Sequence, residues 1–144
     1  MNNTNQIKIF LVDDDVLFLK ALEIEFKLNT EFIIETFNSG EKCLAQLSNH
    51  PDIIILDFQL NGIEDMAING LETLIKIKEV DANIPVIMLS GQDKIEVAIQ
   101  CMHNKAFDYV VKSETSFMRL KKIIETITQI KKMESELKWY MQRM

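Results

Sequence analysis

Glycine and proline are scarce, with 4 and 2 copies in a chain of 144 residues. Turn punctuation is therefore thin, and no Pro/Gly/Ser-rich linker, low-complexity tract or internal repeat divides the chain. Cysteine is nearly absent too: Cys43 and Cys101 stand in no metal-ligand spacing, and each falls in an apolar helical pattern where a buried reduced thiol is the ordinary occupant. Basic charge is in deficit, 16 Lys and Arg against 22 Asp and Glu, for a net charge of −6. That balance excludes a chain that grips nucleic acid by its phosphates, which needs a positive face. Long apolar runs are missing as well. Nothing approaches the roughly 20 residues of a spanning helix, and the N-terminal Met1 to Gln6 is polar and uncharged rather than basic with an apolar run behind it. A cytoplasmic protein with no membrane segment is expected.

What is present is 47% hydrophobic and 26% charged residues, enough for one compact domain with a single good core and too little for a second. No output module is expected after it. The run Ile7 to Val12 is short, rich in branched residues and ended by three acids, as a strand buried on both faces would be. Phe32 to Phe37, Ile53 to Leu56, Pro85 to Leu89 and Phe107 to Val111 read the same way. Between them lie segments with helical spacing, such as Leu17, Ala21, Ile24 and Leu28. Ser39, Asn69 and Asp93 mark helix starts.

The alternation is βα throughout. Strands separated by helices pair in parallel through right-handed crossovers, which predicts an α/β, doubly wound five-stranded sheet with helices on both faces. Such sheets place their chemistry at the carboxyl ends of the strands. Two stretches exceed this minimum. The segment between Leu60 and Gly70 is long for a strand-to-helix connection, and loops of that kind carry function more often than structure. After Lys112 the chain runs on without Gly or Pro, and Leu120, Ile123, Ile127, Ile130, Leu137 and Met141 recur at near-heptad spacing. Two readings of this extended C-terminal helix stay open: packing on the sheet, or pairing with another chain.

Aligning the strand ends brings Asp13, Asp14 and Asp15 after the first strand beside Asp57 after the third, Ser90 after the fourth and Lys112 after the fifth. Carboxylates that close repel unless they hold protons or a cation. Mg²⁺ suits such a site, because it takes oxygen ligands, uses one or two carboxylates and keeps positions for water and phosphate. An ammonium and a hydroxyl beside a carboxylate nucleophile are what phosphoryl transfer needs. Taken singly, Ser90 also reads as a turn cap, Lys112 as a surface lysine and Tyr109 as a core-edge aromatic. His50, before a proline in a turn, and His103, at a helix end, read as structural.

The strings LVDDD, PDIIILD, PVIMLSG and FDYVVK occur in the order and approximate spacing of the response-regulator receiver family of two-component signalling, chemotaxis-regulator-like, over Ile7 to Ile127. The resemblance implies a flavodoxin-like sheet of strand order 2-1-3-4-5. It implies that Asp13 and Asp14 hold Mg²⁺ together with Asp57 and the main-chain carbonyl of Gln59, and that Asp57 is the phosphoacceptor. Ser90 matches the family's switch hydroxyl, Lys112 its lysine, and Tyr109 its aromatic whose rotamer follows the hydroxyl. Asp15 looks like the common third acid, with no ligand role implied. A histidine kinase or phosphotransfer protein would supply the phosphoryl group, and an unidentified downstream protein would read the result.

The chain departs from the family pattern in three places. Ser113 stands where the family carries a proline after the lysine, so a trans bond is expected there, since a cis bond without proline costs about 2.5 to 4 kcal/mol. Asn61 replaces the family's proline after the phosphoacceptor, and Gly70 arrives after an insertion. Gln59 and Gln92 could orient a water and so set how fast a phosphoaspartate is lost. The expected division is a disordered 1–6, a receiver domain at 7–127 and a C-terminal helical extension at 128–144. The expected role is a switch operated by phosphorylation of Asp57, not an enzyme acting on outside substrates. The rival is a receiver-like module that works without phosphate. Self-association through the C-terminal helix, or through the face of the fourth and fifth units, fits either.

Overall fold

The computed structural model describes residues 6–60 and 69–144. The long segment after Leu60, with Asn61, and most of the N-terminal stretch expected to be disordered lie outside the described residues. Gln6 is described, and its side-chain amide donates to the Glu31 carbonyl at 3.3 Å.

Five parallel strands, β1 (Lys8–Val12), β2 (Ile33–Phe37), β3 (Ile53–Asp57), β4 (Val86–Ser90) and β5 (Asp108–Val111), lie in the order β2-β1-β3-β4-β5. The helices are α1 (Val16–Asn29), α2 (Gly40–Ala45), α3 (Gly70–Val80), α4 (Ile95–His103) and α5 (Ser116–Gln142), with a 3-10 turn at Leu47–Asn49 after α2. The strand order reverses between β1 and β3, and there the carboxyl ends open a crevice.

Alternation along the strands builds two cores. Ile9, Leu11, Ile53, Ile55, Ile87 and Leu89 face α1 and α5, whereas Phe10, Val12, Ile54, Leu56, Val86 and Met88 face α2, α3 and α4. Phe26 of α1 meets Phe117 of α5 edge-on, ring centroids 4.9 Å apart, and closes the first core. Burial raises the thiol of Cys43 to about 12 and that of Cys101 to about 11, as the reading of inert core thiols requires.

Three details differ from the sequence-based expectation. The strands are displaced by a residue at several ends, so Asp57 and Ser90 close β3 and β4 rather than follow them; each is still paired, Asp57 with Leu89 and Ser90 with Val111. In α1 the spacing Leu17, Ala21, Ile24, Leu28 marks the solvent side, with Leu17 84% exposed and Leu28 79%, while Leu19, Leu22 and Phe26 are buried. Helix α1 carries apolar residues on two faces, and its rotation is set by how the chain leaves β1: Asp15 caps the helix by accepting from the Phe18 N–H, and its own N–H donates to Asp13 Oδ1. Asp93 does not start α4. The N-cap is Lys94, with no side-chain cap, because Gln92 is held in the preceding loop by Ser90 and Tyr109. Ser39 and Asn69 do cap α2 and α3, the latter in a full capping box with Glu72.

No peptide bond among the described residues is cis, so Lys112–Ser113 is trans. No described helix is long and apolar enough to cross a membrane. Helix α5 divides by burial: Phe117, Leu120, Ile124 and Ile127 lie in the core, and every residue from Thr128 onward is exposed. Lys131 still reaches back, donating to the Asp52 carbonyl at 3.3 Å. The halves should respond differently to truncation. In urea denaturation of the monomer, Leu120→Ala should cost about 2 to 5 kcal/mol, whereas Leu137→Ala should stay within about 0.5 kcal/mol of the parent.

Candidate functional site

The carboxyl edge of the sheet gathers acids because the central strand β3 and its neighbour β1 both run into them there. Asp13 follows β1 and is tied to β2 by its N–H to the Phe37 carbonyl at 3.0 Å; Asp57 is the last residue of β3. Both are almost out of water, 3% and 2% exposed. Asp13, Asp14 and Asp57 each offer a carboxylate oxygen within 4.8 Å of the others, the only such group of ligating side chains among the described residues. Three of the four expected acids are therefore brought together, while the fourth, Asp15, caps α1.

Lys112, just past β5, is the cation inside it. Its Nζ lies 2.8 Å from Asp13 Oδ2 and 3.5 Å from Asp57 Oδ1. Those two oxygens are buried and accept no well-angled hydrogen bond, so the ammonium compensates them chiefly by charge. Burial pushes the Asp57 carboxyl up to about 7, the charge of Asp13 adds to the rise, and Lys112 and the Gln59 backbone amide oppose it. Burial alone would lower the Lys112 ammonium, but its close ion pair with Asp13, with Asp57 behind it, carries it upward. Two buried acids served by one ammonium leave a deficit of positive charge. A hard divalent cation fits that deficit and that donor set.

Ser90 is fully buried at the end of β4. Its Oγ accepts from the Gln92 N–H at 3.0 Å, the turn-capping geometry, and its carbonyl accepts from the Lys112 N–H at 2.7 Å. Tyr109, half-buried on β5, donates its hydroxyl to the Gln92 carbonyl at 2.5 Å. Ser90 and Tyr109 thus hold the same residue from two sides, a link through main chain that no side-chain pattern announces. Gln59 is exposed beside Asp57. His50 closes the 3-10 turn with φ 58° and His103 is the last residue of α4, both outside the acid cluster.

One residue takes a role that the sequence reading missed, and another, Gly70, expected to open the third helix, does so with a closeness that the sequence did not announce. Phe18 places its ring 4.6 Å from Lys112 Nζ, a cation–π contact. Its only sequence signal is its place three residues after the Asp15 cap. Gly70 opens α3 directly against β3: a Cβ there would come within 2.2 Å of the Asp57 carbonyl oxygen and 2.6 Å of Phe58 Cα. Backbone cannot yield cheaply, so only glycine lets α3 approach this close; its N–H donates to the Phe58 carbonyl at 3.1 Å.

A family profile described as "Response regulator receiver domain" matches residues 9–136. The chain belongs to the response regulator receiver family. Among curated relatives of this receiver, a protein-glutamate methylesterase/protein-glutamine glutaminase of Clostridium acetobutylicum is 34% identical over 117 residues, 78% of this chain and 32% of the relative. The C4-dicarboxylate transport transcriptional regulatory protein DctD of Pseudomonas aeruginosa is 28% identical over 107 residues, 74% of this chain and 22% of the relative. The receiver thus spans a third or less of the length of both relatives. Among solved structures, the CheX-CheY-BeF3-Mg+2 complex from Borrelia burgdorferi contains a chain with TM-score 0.72 and 28% identity, covering 83% of this chain and 88% of that one.

The raised Asp57 carboxyl makes a signed prediction for the metal-free receiver. A group that holds its proton more tightly when folded favours the folded state below its unfolded value, near 4, and that contribution is lost as pH rises through about 7. In chelator, Asp57→Asn should therefore melt above the parent at pH 8, with a stability gain of up to about 4 kcal/mol, and the gap should close as pH falls toward 4. Thermal melts of both proteins across that range check it.

Proposed function

We propose that this receiver is a signalling switch that accepts a phosphoryl group on Asp57 in a Mg²⁺-dependent reaction and changes its partner-binding face in response. The observation that carries the reading is the convergence of Asp13, Asp14 and Asp57 within 4.8 Å, with Lys112 between two of them. Asp13, Asp14, Asp57 and the Gln59 carbonyl would hold the cation, which supplies charge neutralisation for the phosphoryl oxygens and the carboxylates. A carboxylate oxygen of Asp57 attacks phosphorus, and the bond from phosphorus to the donor atom breaks with its electron pair left on the donor. Lys112 neutralises a phosphoryl oxygen. Ser90 turns its Oγ from the Gln92 amide toward the new group, which frees the segment that Tyr109 also holds. Gln59 and Gln92 orient the water that ends the signal.

The donor is a histidine kinase or phosphotransfer protein, and the setting is cytoplasmic. The listener meets α4, whose Ile95, Ile99 and Met102 are exposed apolar side chains beside that segment. Support for the metal comes from the Borrelia relative, described as a complex with BeF3 and Mg²⁺.

A second reading, a phosphate-independent docking or dimerisation module, draws on the exposed Ile130, Leu137 and Met141 of α5. The two part in one experiment. Acetyl phosphate with Mg²⁺ should add one phosphoryl mass to the parent, none to Asp57→Asn, and none in the presence of chelator. Full labelling of Asp57→Asn would end the assignment of Asp57 as acceptor, and no labelling of the parent would favour the second reading.

A further inference from the structure

We propose that Phe18 is a positioning residue for Lys112, holding the ammonium in place when Asp13 turns to the cation. The inference rests on the reading of Asp57 as phosphoacceptor. In the structure the shortest contact of Lys112 Nζ is Asp13 Oδ2 at 2.8 Å, with Asp57 Oδ1 at 3.5 Å. Both oxygens belong to groups that the switch uses for something else: Asp13 is a cation ligand and Asp57 is the nucleophile. Once a divalent ion takes them, the attraction that orients Lys112 is shared with a stronger competitor. The Phe18 ring, 4.6 Å from Nζ on an uncharged surface, is a contact that neither the cation nor the phosphoryl group consumes.

The ring is also well anchored. The Phe18 N–H donates to Asp15 Oδ1 at 3.1 Å, and the Asp15 N–H donates to Asp13 Oδ1 at 2.9 Å, so the ring and the acid belong to one hydrogen-bonded turn. Its inner edge packs on the core between α1, α5 and the sheet. Backbone constraint on Lys112 comes from its N–H to the Ser90 carbonyl, at 2.7 Å, and from the Ser113 N–H to Ser116 Oγ, at 2.8 Å. Those bonds fix the start of a long flexible stem. Where relatives add a proline, this chain has Ser113, and the aromatic ring supplies the constraint at the far end of the side chain.

Phe18→Leu keeps an apolar filler and removes the π face; Phe18→Tyr keeps both. With Mg²⁺ saturating, Phe18→Leu should lower the maximal rate of labelling by acetyl phosphate roughly three- to tenfold, without changing the half-saturating Mg²⁺ concentration, and Phe18→Tyr should restore the rate. The contact itself is read by NMR in the parent: the Lys112 ε-methylene signals, assigned with Lys112→Arg, should be shifted upfield by the ring current and stay shifted when Mg²⁺ is added. An unchanged rate in Phe18→Leu, a Tyr variant as slow as the Leu variant, or loss of the upfield shift on adding Mg²⁺ would each overturn the proposal. If the parent accepts no phosphoryl group, the phosphoacceptor reading fails on its own, and the methylene shift with and without Mg²⁺ still decides whether Phe18 holds Lys112.

Discussion

Asp57 and Asp13 are held at the edge of the sheet with almost no water around them and a single ammonium between their oxygens. In water two carboxylates at this spacing would be screened; inside a protein their repulsion is felt and their desolvation is costly. The rest of the structure supplies what makes the arrangement tolerable. Parallel pairing of β1 with β3 puts both acids at the same level, and β5 delivers Lys112 to them. The α3 helix can crowd the far side of Asp57 only because Gly70 has no side chain. An acid pair left short of positive charge is what the proposed uptake of a cation and a phosphoryl group would relieve, so in that reading the stability cost and the chemistry have the same source.

Most of this was legible in the residues. Five short branched runs interrupted by helical spacing leave few arrangements other than a parallel doubly wound sheet, and the acids that end the first and third runs fall together once the strands are aligned. The rotation of α1 was not legible, because apolar residues lie on two of its faces and the deciding hydrogen bonds, Asp15 to Asp13 and Phe18 to Asp15, are made by loop geometry. The start of α4 was misread for a related reason. Asp93 has the right side chain for a cap, but Gln92 is restrained by bonds from Ser90 and Tyr109, residues that come from two different strands. A local pattern cannot report a partner that arrives from elsewhere in the chain. The Phe18 contact with Lys112 is the extreme case, joining the first helix to the end of the last strand.

Helix α5 shows the same economy at a larger scale. Its first half completes the core that supports the site, with Phe117 against Phe26 and Leu120 fully buried, while its second half leaves the sheet and carries Ile130, Leu137 and Met141 into solvent. One continuous helix therefore connects the ground beneath the acids to an exposed surface. Near-heptad spacing persists across the change in surroundings, which is why periodicity alone could not say where burial stops.

The charge deficit at the carboxyl edge is the centre of this account, and the titration of one carboxyl measures it most directly. Following the Asp57 side-chain carbon by NMR in the metal-free receiver, with Asp57→Asn to assign it, should give a midpoint near 7, far above an ordinary aspartate. Saturating Mg²⁺ should drive that midpoint down, since the ion and the proton compete for the same oxygens. A metal-free midpoint below 4, indifferent to Mg²⁺, would mean that Lys112 alone balances the pair, and would contradict the account.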